Sequence, residues 1–186
     1  MQILIPDIPQ EGFDLNFSSR NDSWFQEMLS DALAETYFSD DAGEGHVFCD
    51  RHDKNVDVNG SVTCSCHPLC SRCSVAFPLQ LVVPIHLLLA PLYDQMSEGP
   101  SSGDAEVELV KEDLEFSFYE GNYFNLGHLI REQVILAMPL QPLCKEDCKG
   151  LCPKCGADMN LDPCGCKETQ TDPRFSLLKE FKPKHS

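Results

Sequence analysis

Phe77-Pro78-Leu79-Gln80-Leu81-Val82-Val83-Pro84-Ile85-His86-Leu87-Leu88-Leu89 decides the fold class. Every second residue from Phe77 to Leu89 is apolar, and a period of two places those side chains on one face of a strand. Pro78 and Pro84 fall on the other parity and lack an N–H, which puts the strand at a sheet edge or on a bulge. Just upstream, the stretch from Val47 to Cys66 looks like paired strands. Val56 and Val58 alternate, Asn59-Gly60 reads as a hairpin turn, and Val62 and Cys64 resume the alternation.

Further outward the periods change. Ile3 to Ile5 starts a strand, and Phe13, Leu15 and Phe17 mark another. Asp22 or Ser23 can cap a helix that carries Trp24, Phe25, Met28, Leu29, Ala32 and Leu33 at helical spacing. Leu114, Phe116 and Phe118 alternate as a strand. After the turn Glu120-Gly121-Asn122, Asn125 can cap a helix whose stripe is Leu126, Leu129, Ile130, Val134 and Ala137, ended by Pro139. The fold expected is α+β: a mostly antiparallel sheet flanked by helices, with a small C-terminal zinc-binding tail. Residues 1–140 form an acidic body with a flexible acidic loop at about 93–112. Residues 141–186 form a cysteine-rich tail with a terminal helix begun by Asp172-Pro173 and running through Phe175, Leu177, Leu178 and Phe181. No internal repeat is evident.

The formal charge of the 186 residues is −16, which argues against simple docking on nucleic acid. It is unevenly spread: residues 1–139 carry a net −17 and residues 140–186 a net +1. The acidic body suits a basic protein partner, and only the tail can approach RNA without repulsion; the plainer reading is that acidity keeps the protein in solution. The N-terminus lacks the basic start and apolar run of a signal peptide, and the apolar run from Leu79 to Leu92 is short for a membrane span and contains Pro84 and His86. A soluble, cytoplasmic protein is expected.

Six of the eleven cysteines lie between residues 144 and 166, as Cys144-x3-Cys148-x3-Cys152-x2-Cys155-x8-Cys164-x-Cys166. Thiolates in short-loop pairs suit tetrahedral Zn²⁺, and clustered cysteines in a reducing compartment are metal ligands more often than disulfides. Cys152 and Cys155 are the firmest ligands. Their partners are Cys144 with Cys148 or Cys164 with Cys166; two zinc ions sharing bridging sulfurs would use all six. A second group is Cys64-x-Cys66-x3-Cys70-x2-Cys73, with His67 inside it. Cys70 and Cys73 have the spacing of half a metal site; a purely structural turn and then a redox pair are the alternatives. Cys64 and Cys66 read as small buried hydrophobes, and Cys49 as core. Metal binding would supply on the order of 10 kcal/mol of folding free energy to a tail with little core of its own.

Catalysis finds little support in the sequence. No histidine is followed two residues on by Glu as in zinc deaminases, no phosphate-cradling glycine loop is present, and an all-thiolate zinc site leaves no open coordination position. His128 reads as a surface or capping histidine, and Arg131 and Glu132 as a solvated helix face. No enzyme and no small-molecule substrate are expected.

Three segments together resemble the YceD-like family of 23S (large-subunit) ribosomal RNA accumulation proteins. They are Cys70-Ser-Arg-Cys73 with the strand Phe77 to Leu89; the helix Asn125 to Met138 with Pro139; and Cys144-x3-Cys148-Lys-Gly-Leu-Cys152-Pro-Lys-Cys155-Gly with Asn160, Cys164-Gly-Cys166 and Asp172-Pro-Arg-Phe. The resemblance implies a non-enzymatic accessory factor in synthesis, processing or stability of large-subunit rRNA. Its partners would be that rRNA or a pre-ribosomal particle, with a basic ribosomal protein a further candidate. Lys145, Lys149, Lys154 and Lys167 are the candidate RNA contacts. The alternative is a zinc- or thiol-based redox-sensing interaction protein built on Cys70 and Cys73.

Overall fold

In the computed structural model, which describes residues 1–38, 40–92, 116–161 and 164–166, the alternating stretch is a single long strand, β5 (Leu79–Pro91). Leu81, Val83, Ile85, Leu87 and Leu89 point into the core, each under a tenth exposed, while Val82, Pro84 and His86 face outward. Antiparallel to it runs β4 (Asn55–Cys66), and antiparallel to that β3 (Gly43–His52). β2 (Phe13–Ser18) completes one side of the sheet, and β6 (Phe116–Tyr119) pairs in parallel with the last four residues of β5. The order β2-β3-β4-β5-β6 leaves Leu79–Leu87 bonded to β4 alone among the described residues, which is how the strand tolerates Pro84.

The hairpin expected at Asn59-Gly60 lies elsewhere. β4 runs straight through both residues, and the chain reverses between His52 and Asn55, where Asp53 takes a positive φ of 57°. Gly60 serves packing instead of turning. It sits opposite Val47 of β3, and a Cβ at Gly60 would lie 2.0 Å from the His46 carbonyl oxygen and 2.7 Å from the Val47 Cα. β6 also differs from its pattern: Phe118 faces outward, 44 % exposed, while Tyr119 is buried and donates its hydroxyl to the Lys54 carbonyl at 2.6 Å. The parallel register opposite Pro91 sets that parity.

Two helices cover the inner face of the sheet among the described residues. α1 (Ser23–Leu33) buries Phe25, Met28, Leu29 and Leu33, and α2 (Leu126–Ala137) buries Leu126, Ile130 and Val134. Phe25 stacks edge-on to Phe17 with centroids 4.7 Å apart, and Trp24 joins them, so this aromatic group is core. The Asn125 side chain accepts from the His128 N–H at 3.1 Å, capping α2 as its sequence suggested. At α1 the Asp22 carboxylate instead accepts from the Ser18 N–H at 2.9 Å. Arg131 reaches across to an ion pair with Asp31 of α1. A small sheet of β1 (Gln2–Leu4) and β7 (Tyr123–Asn125) ties the N-terminus to the start of α2. Among the described residues no helix is long and apolar enough to cross a membrane. The loop expected at 93–112, Leu114 and the terminal helix expected after Asp172 lie outside the described residues.

Candidate metal centres

Two eight-residue stretches fold alike, a structural repeat that is not evident as one in the sequence. Leu69-Cys-Ser-Arg-Cys-Ser-Val-Ala76 and Leu151-Cys-Pro-Lys-Cys-Gly-Ala-Asp158 each close with a single antiparallel bridge, Leu69 to Ala76 and Leu151 to Asp158. Inside each knuckle the bonds correspond. The Cys70 N–H donates to the Val75 carbonyl (2.9 Å) and the Ser74 N–H to the Cys70 carbonyl (2.8 Å); Cys152 donates to Ala157 (2.8 Å) and Gly156 to Cys152 (2.9 Å). The turn needs a left-handed residue after the second cysteine. Gly156 takes it freely at φ 73°, whereas Ser74 holds φ 58° at the steric cost a side chain carries there. Each turn aims one backbone N–H at the first sulfur: Arg72 N to Cys70 Sγ and Lys154 N to Cys152 Sγ, both 3.5 Å.

Each knuckle receives a second cysteine pair. Cys144 and Cys148, on the segment after α2, meet Cys70 and Cys73; Cys164 and Cys166 meet Cys152 and Cys155. In each group of four, all sulfurs lie within 4.8 Å of one another. A tetrahedron with Zn–S bonds of about 2.3 Å has S···S edges of about 3.8 Å. Cys70–Cys148 and Cys73–Cys144 are separated by 3.8 and 3.7 Å, close to that edge and far beyond a disulfide bond. All eleven cysteines are free thiols. The donor set and its spacing therefore fit a tetrahedral thiophilic ion twice over, without shared sulfurs.

The protonation pattern suits a ligand shell. The Cys70 thiol is pulled down to about 6, chiefly by the backbone N–H of Cys144 and then by those of Cys73 and Arg72, against the opposing effect of burial. Cys152 is likewise lowered to about 6 by the N–H groups of Cys155 and Lys154. Across the same centres Cys144 is pushed up to about 12 by burial and neighbouring sulfurs, and Cys166 to about 12 by sharing with Cys155 and Cys164. Each cluster thus holds a ready thiolate beside thiols that give up protons when a cation enters.

The two clusters differ in setting. Cys70, Cys73 and Cys148 are buried, whereas Cys155 and Cys166 are exposed. The buried cluster joins the β4–β5 connection to the segment after α2. Ser71 N donates to the Pro142 carbonyl (2.8 Å), the Arg72 guanidinium to the carbonyls of Cys148 (2.9 Å) and Glu146 (3.2 Å), and Leu151 N to the Arg72 carbonyl (3.0 Å). Cys64 and Cys66 stay in the core, and the His67 ring faces the buried Asp41 carboxylate at 3.2 Å and the edge of Phe38. Lys145, Lys149 and Lys154 are exposed around the clusters; Lys167 lies outside the described residues. Arg72 and Asn160 stand in the sequence only as parts of the segments that resemble the family. Their bonds to segments some seventy and a dozen residues away give no local spacing signal.

An α+β sheet protein with two four-cysteine clusters positioned to hold metal is the class that fold and site define. The chain belongs to the YceD family, described as large ribosomal RNA subunit accumulation proteins, whose model matches residues 58–182. That match begins within β4 and takes in both knuckles. Among curated proteins it is similar to an uncharacterized protein of Mycobacterium bovis and one of Mycobacterium tuberculosis, each 29 % identical over 128 residues, which are 69 % of this chain and 56 % of the relative. An uncharacterized protein of Mycobacterium leprae is 28 % identical over 128 residues, 69 % of this chain and 54 % of its own length. The chain thus spans about half the length of the curated relatives it matches. No solved structure matches it.

Proposed function

We propose that this protein is a non-enzymatic accessory factor in the synthesis, processing or stability of large-subunit rRNA, acting in the cytoplasm with Zn²⁺ as a structural ion in both cysteine clusters. Membership of a family described by large-subunit rRNA accumulation is the observation that carries this reading. Four thiolates per centre saturate the metal, which suits shape-holding over Lewis-acid chemistry. In this reading Cys152, Cys155, Cys164 and Cys166 bind one ion and Cys70, Cys73, Cys144 and Cys148 the other.

Two surfaces support a dual partnership. The knuckle region presents exposed Lys145, Lys149 and Lys154 and would meet rRNA phosphates. The outer face of β2, β3 and β4 carries Asp14, Glu44, Asp50 and Asp57 and no outward lysine or arginine, which suits a basic ribosomal protein. Affinity capture of the tagged protein from its own cell lysate tests this. Recovery of large-subunit rRNA, a large-subunit precursor or its basic proteins is expected, with the rRNA fraction reduced in a Lys145→Glu/Lys149→Glu/Lys154→Glu variant. Capture that brings down no ribosomal component overturns the reading.

A further inference from the structure

Asn160 belongs to one cluster by sequence and touches the other. It falls between Cys155 and Cys164 in sequence, and its side-chain Nδ2 donates to the Cys148 sulfur at 3.5 Å while its Oδ1 accepts from the Lys149 N–H at 2.9 Å. Asp158, the last residue of the second knuckle, fixes this posture: its Oδ1 accepts from both the Asn160 N–H (2.8 Å) and Nδ2 (2.6 Å). With the amide nitrogen committed to two acceptors and its oxygen to a donor, only one orientation of the carboxamide satisfies the network. A further bond, Met159 N to the Gly150 carbonyl at 2.9 Å, holds the same segment against the residue that leads into the knuckle.

We propose that Asn160 is a positioning residue that couples the two metal centres, so that an ion held by Cys152, Cys155, Cys164 and Cys166 tightens the hold of Cys70, Cys73, Cys144 and Cys148 on a second. The inference rests on the two-zinc reading above. An N–H donor to a metal-bound sulfur draws off part of its charge and orients it, and losing such a contact typically costs about 10- to 100-fold in metal affinity. When the exposed centre is filled, Asp158 and Asn160 are already held, so Asn160 reaches Cys148 at little further entropic cost. When it is empty, binding at the buried centre must fix Asp158 and Asn160 as well. Coupling of this kind is reciprocal. Because the buried centre joins the β4–β5 connection to the segment after α2, the more exchangeable ion at exposed Cys155 and Cys166 would govern how firmly that joint holds.

Competitive titration of the full-length reduced protein against a chromophoric chelator, paired with cadmium NMR of the cadmium-substituted protein, tests the proposal. Wild type is expected to take up two ions and show two cadmium resonances. Asn160→Ala should weaken the buried centre about 10- to 100-fold and move its resonance, and Asn160→Asp, which keeps the acceptor for Lys149 and loses the donor to sulfur, should act in the same direction. Cys155→Ser/Cys166→Ser should weaken the remaining centre to a similar extent, and adding Asn160→Ala to that variant should cost little more. Two ions bound with unchanged affinity and unshifted resonances in both Asn160 variants overturn the coupling alone. Fully additive losses in the combined variant do the same. Fewer than two ions in wild type overturns the coupling together with the two-zinc reading beneath it.

Discussion

The three cysteines of the sheet and the first cysteine of each knuckle are the same residue under opposite physical control. Cys49, Cys64 and Cys66 are buried among hydrocarbon on β3 and β4, and burial pushes each thiol up to about 11, helped at Cys64 by Cys66 and Asp41 and at Cys66 by Asp41. Cys70 and Cys152, each under a tenth exposed, are drawn down to about 6 because backbone N–H groups converge on their sulfurs. Burial alone therefore does not decide what a cysteine does here. Donor geometry does: a thiol buried on the sheet without converging N–H groups behaves as a small hydrophobe, and one that meets N–H groups and three other sulfurs is prepared as a ligand.

The strongest way to break that contrast is to remove the ions proposed for the two clusters. The knuckle region owns a small cluster of Cys70, Cys73 and Cys148 with Phe77, Leu143 and Cys144 packed on it, whereas the body buries a core that runs from Ile3 to Val134. Chelation is expected to remove on the order of 10 kcal/mol of folding free energy from the knuckle region and leave the sheet folded. Hydrogen exchange reads this directly. Amides of Cys70, Leu151, Cys152, Gly156 and Met159 should lose protection while those of β3, β4 and β5 keep it. Knuckle amides that stay protected in metal-free protein would end the account.

A second test exchanges oxygen for sulfur in each environment. Cys49→Ser puts a hydroxyl into a fully buried apolar site, with an expected loss of about 1–3 kcal/mol in denaturant unfolding and no change in metal stoichiometry. Cys148→Ser should do the converse, lowering the ion count while the unfolding of the sheet stays close to wild type. A Cys49→Ser variant that lost metal, or a Cys148→Ser variant that kept both ions, would dissolve the distinction between the two classes.

How much of this was legible in the sequence follows from the range of each interaction. The β5 alternation, the α2 stripe with its Asn125 cap and the aromatic face of α1 are local patterns, and each lies where the sequence indicated. Asn59-Gly60 misled because glycine serves close strand approach as well as tight turning, and only the register opposite Val47 tells the two apart. Phe118 misled because β6 takes its parity from a parallel partner and from the Tyr119 hydroxyl bond, neither of which is visible in a short alternating run. Among the cysteines, spacing identified each close pair but not which pairs meet. The joining of Cys70 and Cys73 to Cys144 and Cys148 spans more than seventy residues and is set by how α2 delivers the chain past the β4–β5 connection.

The gentlest test is pH, applied to metal-loaded protein. Cys49, Cys64 and Cys66 have folded values raised to about 11 from an ordinary 9.0. For such groups the stabilisation is fully present below the ordinary value and disappears as pH rises through the folded one. Between pH 9 and 11 the unfolded chain sheds these protons while the sheet retains them, so stability should fall across that window. The metal-bound knuckle sulfurs carry no proton to lose, so this cysteine contribution comes from the sheet alone. Lysines and tyrosines titrate in the same range, which makes the informative quantity the difference in slope between wild type and a Cys64→Ala variant. Thermal unfolding at stepped alkaline pH should show a shallower decline for the variant. Parallel declines would mean that the Cys64 thiol ionises as readily inside the sheet as in the unfolded chain, and the hydrocarbon setting would no longer account for its behaviour.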